Sequence, residues 1–368
     1  MKKIYKISLM MMICFFIAHS AFAEVTVDGF CYLEGETDHS GTKVLFNAVS
    51  PSAVTDSVYT NTDGSYLIEL TLGIYTVHFS HNGWQPFIIS GELFFFENTT
   101  IEDVVLYSGS IAEVFGPQSG VWTSDYSYHV IGDISVSEGE TLTIEPGVLI
   151  KFMDDYSFNI YGTLLAEGTE ADSIIFTSGQ VSCNPEDWGS IWYEASSNDN
   201  SIISYARIEY ANFGIYCISS SPTIRNNTIN NNDYTGVWCK DSSSPTISYN
   251  TISNNDYGIY CDITSFSPII SNNTIFNNNT YGIYCYTSSP TICNNTISNN
   301  DYGICCGTSS FPTISNNTIF NNDNSGIFCS YSSSPTINNN TICNNSRGIF
   351  CYYYSSPCIS PPESRTEL

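Results

Sequence analysis

Pro222-Thr223-Ile224-Arg225-Asn226-Asn227-Thr228-Ile229-Asn230-Asn231-Asn232-Asp233-Tyr234-Thr235-Gly236-Val237-Trp238-Cys239 is one unit of a pattern that returns complete five more times and then opens once again. Its proline recurs at 222, 245, 268, 290, 312, 335 and 357, in steps of 22 or 23 residues, with Ile two positions after each. Asn-Thr-Ile begins at Asn227, Asn250, Asn273, Asn295, Asn317 and Asn340. Gly-Ile-x-Cys, once Gly-Val-Trp-Cys, begins at Gly214, Gly236, Gly258, Gly282, Gly303, Gly326 and Gly348. A fixed period of this length marks a solenoid, in which each repeat is one supersecondary unit that buries its apolar face only against its neighbours.

Leucine-rich repeats share the period, but no leucine lies between Leu165 and Leu368, so the residue that fills their core is missing throughout the array. Each unit instead offers three β-prone runs, Pro-Thr-Ile, Asn-Thr-Ile and Gly-Ile-x-Cys, separated by Ser, Asn and Gly. At about 3.3 Å per residue three such strands close one triangular coil, and coils stack at about 4.8 Å with each strand parallel to its equivalents. Period-two alternation then turns the Ile and Cys of Gly-Ile-x-Cys inward and the residue between them outward. The Asn of Asn-Thr-Ile falls at a corner, where stacked amides bond to one another and to free backbone groups. The expected fold class is all-β: a parallel β-helix over 217–359, entered through irregular cap and first coils at 109–216.

This repeat resembles the right-handed parallel β-helix repeat proteins, including the NosD-like and carbohydrate-binding or hydrolase-like families, over residues 110 to 359. The resemblance fixes a fold and leaves function open, because these families include lyases, hydrolases, adhesins and structural proteins. Residues 24–108 read as a small antiparallel β-sandwich, with Lys43-Val44-Leu45-Phe46 and Tyr66-Leu67-Ile68-Glu69-Leu70 split by Asp63-Gly64, Leu72-Gly73 and Asn82-Gly83. Within it Asn61-Thr62-Asp63-Gly64-Ser65-Tyr66, Gly73-Ile74-Tyr75-Thr76-Val77-His78-Phe79 and Gly83-Trp84 resemble the carboxypeptidase regulatory-like family, a transthyretin-type sandwich. That resemblance implies a spacer module and brings no catalytic residue with it.

The chain starts Met1-Lys2-Lys3-Ile4-Tyr5-Lys6, runs apolar from Ile7 to Ala18 and reaches Ala21-Phe22-Ala23. A basic start, a short apolar core and an A-x-A end make residues 1–23 a signal peptide, so the expected location is extracellular, at the cell surface or in the periplasm, with no membrane span. Those residues hold three of the ten basic side chains and none of the 36 acidic ones, leaving a strongly acidic remainder. Nucleic acid and anionic membranes are excluded as partners, since phosphate binding depends on Lys and Arg.

Three sets of residues are candidates for chemistry. The inward cysteines Cys217, Cys239, Cys261, Cys285, Cys306, Cys329 and Cys351 form a ladder; parallel in-register Cβ vectors suit disulfides badly, and a sealed core denies a metal its access, so these read as buried free thiols. Asp233, Asp256, Asp301 and Asp323 each lie four residues after the Ile of Asn-Thr-Ile, pairing carboxylates on adjacent coils at a spacing that suits a retaining glycosidase or a weak Ca²⁺ site. Asn279 and Ser346 replace them elsewhere, which favours solvated turn acids. The outward residues of Gly-Ile-x-Cys are Tyr216, Trp238, Tyr260, Tyr284, Cys305, Phe328 and Phe350, a stripe about 29 Å long at the coil spacing, fit to stack on itself, to stack on sugar rings, or both.

All five histidines precede the repeats, and Arg225, Lys240 and Arg347 are the only basic residues between Cys217 and Ile359. The base and acid sets that β-helix lyases and hydrolases use therefore find no residue-by-residue match, and neither a catalytic site, a metal nor a cofactor is expected. The expected function is a secreted or cell-surface scaffold that binds polysaccharide or mediates adhesion, with Tyr216, Trp238, Tyr260, Tyr284, Phe328 and Phe350 as the contact residues. The alternative is a polysaccharide lyase or glycoside hydrolase with a divergent carboxylate site. At the C-terminus Pro357-Cys358-Ile359 opens a unit that Ser360-Pro361-Pro362 breaks off. An uncapped last coil exposes strand edges, so the chain is expected to be a truncated family member or to need a partner there, with residues 360–368 disordered.

Overall fold

The computed structural model describes residues 24–360 except 35, 51–53, 83, 85, 90, 91, 108, 109, 181 and 263–266. Residues 1–23, where a signal peptide is expected, and the tail from 361 onward therefore lie outside the described residues. The chain forms two compact units, divided between Ser110 and Ile111.

The first unit is built from two small sheets. Glu24–Leu33 pairs antiparallel with Ser65–Thr71 and parallel with Thr99–Thr100 and Val104–Leu106. In the other sheet Lys43–Ser50 lies between Thr55–Tyr59 and Gly73–Ser80, both antiparallel. Alternation is strict along Gly73–Ser80, so Tyr75, Val77 and Phe79 face a core shared with Val27, Phe46, Tyr66 and Phe95. One face of each strand supplies that core, as expected for half-buried antiparallel strands.

The second unit is a parallel β-solenoid. Its Pro-Thr-Ile strands stack into an 11-stranded sheet, while the Asn-Thr-Ile and Gly-Ile-x-Cys strands form two further faces. Register is kept coil after coil: Ile224, Ile247, Ile270, Ile292, Ile314 and Ile337 stand opposite one another, as do Cys217, Cys239, Cys261 and Cys285. Every one of these side chains is buried. The first coils follow the same plan with larger residues, Phe152, Phe158, Phe176, Trp188 and Tyr193, in place of the uniform Ile and Cys. The last unit is present as Cys358–Ser360, with Ser360 opposite Asn338.

The doubled asparagines explain two corners of the coil. At each doublet the first residue takes a left-handed backbone, as at Asn226 (φ 56), Asn272 (φ 57) and Asn316 (φ 57), a conformation Asn tolerates better than most side chains. The second turns inward. Asn227 Nδ2 donates to Asn250 Oδ1 at 3.0 Å, and the relay continues through Asn273, Asn295, Asn317 and Asn340. Asn232, Asn255, Asn278, Asn300, Asn322 and Asn345 form a second ladder at the next corner. These amides satisfy backbone groups that a buried bend would otherwise strand.

Candidate functional site

The outward residues of Gly-Ile-x-Cys do form one column, and their neighbours decide what the column presents. Trp238 and Tyr260 lie 5.1 Å apart with planes 16° apart, Tyr260 and Tyr284 5.0 Å and 24°, Phe328 and Phe350 5.6 Å and 13°. Planes in contact sit about 3.5–4 Å apart, so centroids this far apart mean that the rings slip past one another like shingles. Each covers part of its neighbour, and each stays half-buried. Tyr216 is the exception; Trp192, at 4.2 Å, and Trp238, at 4.8 Å, bury it. Cys305 interrupts the column, and the Tyr284 ring leans over Gly307 of that coil, where an added Cβ would stand 2.9 Å from its Oη.

A second column runs beside the first and was not anticipated. Phe213, Tyr234, Tyr257, Tyr281 and Tyr302 follow one another at 5.4, 5.1, 5.3 and 5.3 Å. Contacts across the columns, such as Tyr281–Tyr284 at 4.8 Å and Tyr302–Phe328 at 5.4 Å, join them into one belt. Strict alternation would turn the residue before Gly inward. In Tyr257–Cys261, however, Gly258 and Ile259 are buried in succession, so Tyr257 and Tyr260 emerge on the same side. The Tyr-Gly and Phe-Gly pairs at Phe213, Tyr257, Tyr281 and Tyr302 were the available signal.

Polar groups edge the belt. Tyr216 bonds to Lys240, whose ammonium also lies 5.9 Å from the Trp238 ring, and Tyr260 bonds to the buried Asp262. Burial holds the phenols neutral, pushing Tyr257 up to about 12 and raising Tyr260, Tyr281 and Tyr284 above their ordinary value. Of the four turn acids, Asp233 and Asp323 are exposed; Asp256 accepts from Thr280 Oγ1 and Asp301 from Asn324 Nδ2 of the next coil. Each of the two half-buried carboxylates is thus used to tie coils together.

The early coils hold a polar column that sequence reading also missed. His129, Lys151 and Thr177 stand in register on one outward face, with Glu209 accepting from Thr177 Oγ1 at 3.0 Å and pairing with Arg207 at 3.2 Å. The loop before Trp188 is tied there by Asp187, which accepts from Ser178 Oγ at 2.6 Å and Asn184 N at 2.8 Å. Without the repeat motif, nothing in the sequence gave the register that brings these residues together.

Every cysteine among the described residues is a free thiol. Burial raises Cys217 and Cys285 well above the ordinary 9.0 and Cys31 to about 12; Cys239 and Cys306 are raised first by their hydrogen bonds with Cys261 and Cys329 and then by burial, and Cys329 is lowered by the same bond to Cys306. The folded chain therefore holds protons that the unfolded chain releases above pH 9. Stability should fall as pH rises through about 9, by up to about 1.4 kcal/mol per pH unit for each such thiol. Denaturant midpoints that decline between about pH 8 and pH 10 are the expected result, and a flat profile would contradict it.

Comparison with known proteins agrees with this architecture. A family model described as right handed beta helix region matches residues 183–311 and 269–360, and one described as pectate-lyase like beta helix domain matches 117–214. The second unit is thus a parallel β-solenoid that beta-helix family models match from residue 117 to residue 360. Among solved structures, the mannuronan C-5 epimerase AlgE4 A-module of Azotobacter vinelandii is 14% identical, with 68% of this chain and 89% of that chain covered and a TM-score of 0.38. The periplasmic alginate epimerase AlgG is 14% identical, with 66% and 79% covered and a TM-score of 0.38. No curated protein sequence matches the chain. No helix among the described residues is long and apolar enough to cross a membrane.

Proposed function

We propose that this chain is an exported scaffold whose β-helix binds polysaccharide through the aromatic belt, with the N-terminal sheets acting as a spacer and without catalysis. One observation carries the reading: half-exposed rings recur once per coil along one face, so a repeating apolar surface is offered to a repeating ligand. Aromatic faces suit the apolar faces of sugar rings. The signal-like segment 1–23 supports export.

Binding measured against a panel of polysaccharides tests this. Trp238→Ala and Tyr260→Ala should each weaken binding about tenfold, equivalent to 1.4 kcal/mol. Both should also lower the unfolding midpoint, because Trp238 contacts Phe213, Tyr216, Tyr234 and Tyr260. Tyr249→Ala, at an exposed corner residue off the belt, should leave binding unchanged. Binding to no polysaccharide, or binding indifferent to both belt variants, would overturn the proposal. The same panel decides the cleavage alternative, which draws on the Glu209–Arg207 pair beside Thr177: new reducing or unsaturated ends that vanish in Glu209→Gln would establish it.

A further inference from the structure

Carboxylates stand along both long edges of the belt. On one edge Asp233, Asp256 and Asp301 each immediately precede a ring of the second column, Tyr234, Tyr257 and Tyr302, and Asp256 and Asp301 act electrostatically on the phenols beside them. On the other, Asp241 and Asp262 lie near Lys240 and Tyr216, and Tyr260 donates to Asp262. Lys240 is the one cation along the middle of the belt among the described residues; Arg347, 4.2 Å from the Phe350 ring, stands at its C-terminal end. The chain as a whole has the same sign, with ten basic against 36 acidic residues.

We infer that the belt selects uncharged, hydroxyl-rich glycans and rejects polyuronates, an inference that rests on the belt being the binding face. A sugar laid on the rings brings its equatorial hydroxyls to the rims. Hydroxyls donate to carboxylates in charge-assisted bonds, which are stronger than neutral ones. A uronate there brings a carboxylate against carboxylates, and like charges facing each other across an interface are strongly disfavoured. The aromatic floor is indifferent to this distinction, so the rims set the selectivity.

The full chain is tested by affinity electrophoresis at low ionic strength against hydroxyethyl cellulose, xyloglucan and galactomannan on one side and polygalacturonate and alginate on the other. At least one uncharged polymer should bind at least about tenfold more tightly than either polyuronate, and the margin should narrow as salt screens the rims. The double variant Asp233→Asn, Asp241→Asn should narrow the same ratio; Asn suits the left-handed backbone of Asp241 (φ 54), and Asp233 is exposed, so the fold tolerates both changes. Polyuronates binding as tightly as the uncharged polymers would overturn the selectivity while leaving the belt as the binding face. Binding to none of the five would overturn the belt reading and the selectivity with it.

Discussion

Asn273→Ala should destabilise the β-helix by about 3 kcal/mol or more, among the largest effects of any single substitution in the repeats. The Asn273 amide donates to Asn295 Oδ1 at 3.0 Å and to Ile247 O at 2.9 Å, and accepts from the backbone N of Asn250 at 2.9 Å and its Nδ2 at 3.0 Å. All four partners are buried, and alanine removes the side-chain partner of the Asn250 backbone N–H and of the Ile247 carbonyl, while Asn295 Oδ1 keeps the residue-273 backbone N–H at 2.9 Å and Asn250 Nδ2 keeps Ile224 O at 3.0 Å. A stranded buried polar group costs about 1–3 kcal/mol, so the loss exceeds what the bonds contribute net. Because coils are coupled only to their neighbours, a break at this position separates the array into two weaker halves. The neighbouring Asn272→Gly should change little, since Asn272 supplies a left-handed backbone (φ 57) that glycine adopts freely. Urea unfolding of the two variants checks the contrast. Equal midpoints would show that the inner ladder contributes no more than the outer corner residue.

Gly258→Ala should be comparably damaging, for a steric reason. A Cβ at Gly258 would stand 2.5 Å from Gly282 O, 2.7 Å from Ile275 Cγ2 and 3.1 Å from Asn278 Nδ2. Two of these are backbone and close-packed core, which move only by opening the coil spacing, and overpacking of this kind costs about 1–3 kcal/mol or more. Gly348 occupies the same place in the last complete unit, where an added Cβ meets nothing within 4 Å. Gly348→Ala should therefore be neutral or slightly stabilising, because alanine reduces the freedom of the unfolded chain. The same substitution at equivalent positions thus separates a requirement of stacking from one of local backbone shape. Equal thermal shifts for the two variants would contradict it.

The solenoid was legible because its period is written in residues with strong and different roles. Ile224, Cys239 and Asn227 each recur where alternation and corner chemistry place them, and each is buried as that reasoning requires. What escaped was set by packing between coils. The second amide ladder through Asn232 and Asn255 was visible only as doubled asparagines, whose two members have opposite fates. The second ring column escaped because a glycine that must touch the next backbone disturbs alternation at Tyr257. Lys151, Thr177 and Glu209 are separated by 26 and 32 residues, outside any repeat, so only the folded coils show them as neighbours.

Polysaccharide laid along the belt should shield the belt tryptophans from solvent, a protection that tryptophan footprinting measures. Of five tryptophans, Trp122 and Trp188 are buried, Trp84 is in the first unit, and Trp192 and Trp238 belong to the belt. With a polysaccharide that binds the full chain, Trp192 and Trp238 should lose most of their reactivity toward a water-soluble indole oxidant, read residue by residue by mass spectrometry, while Trp84 keeps its own. Saturating polysaccharide that leaves Trp192 and Trp238 as reactive as in the free protein would place the ligand elsewhere and contradict binding on the belt.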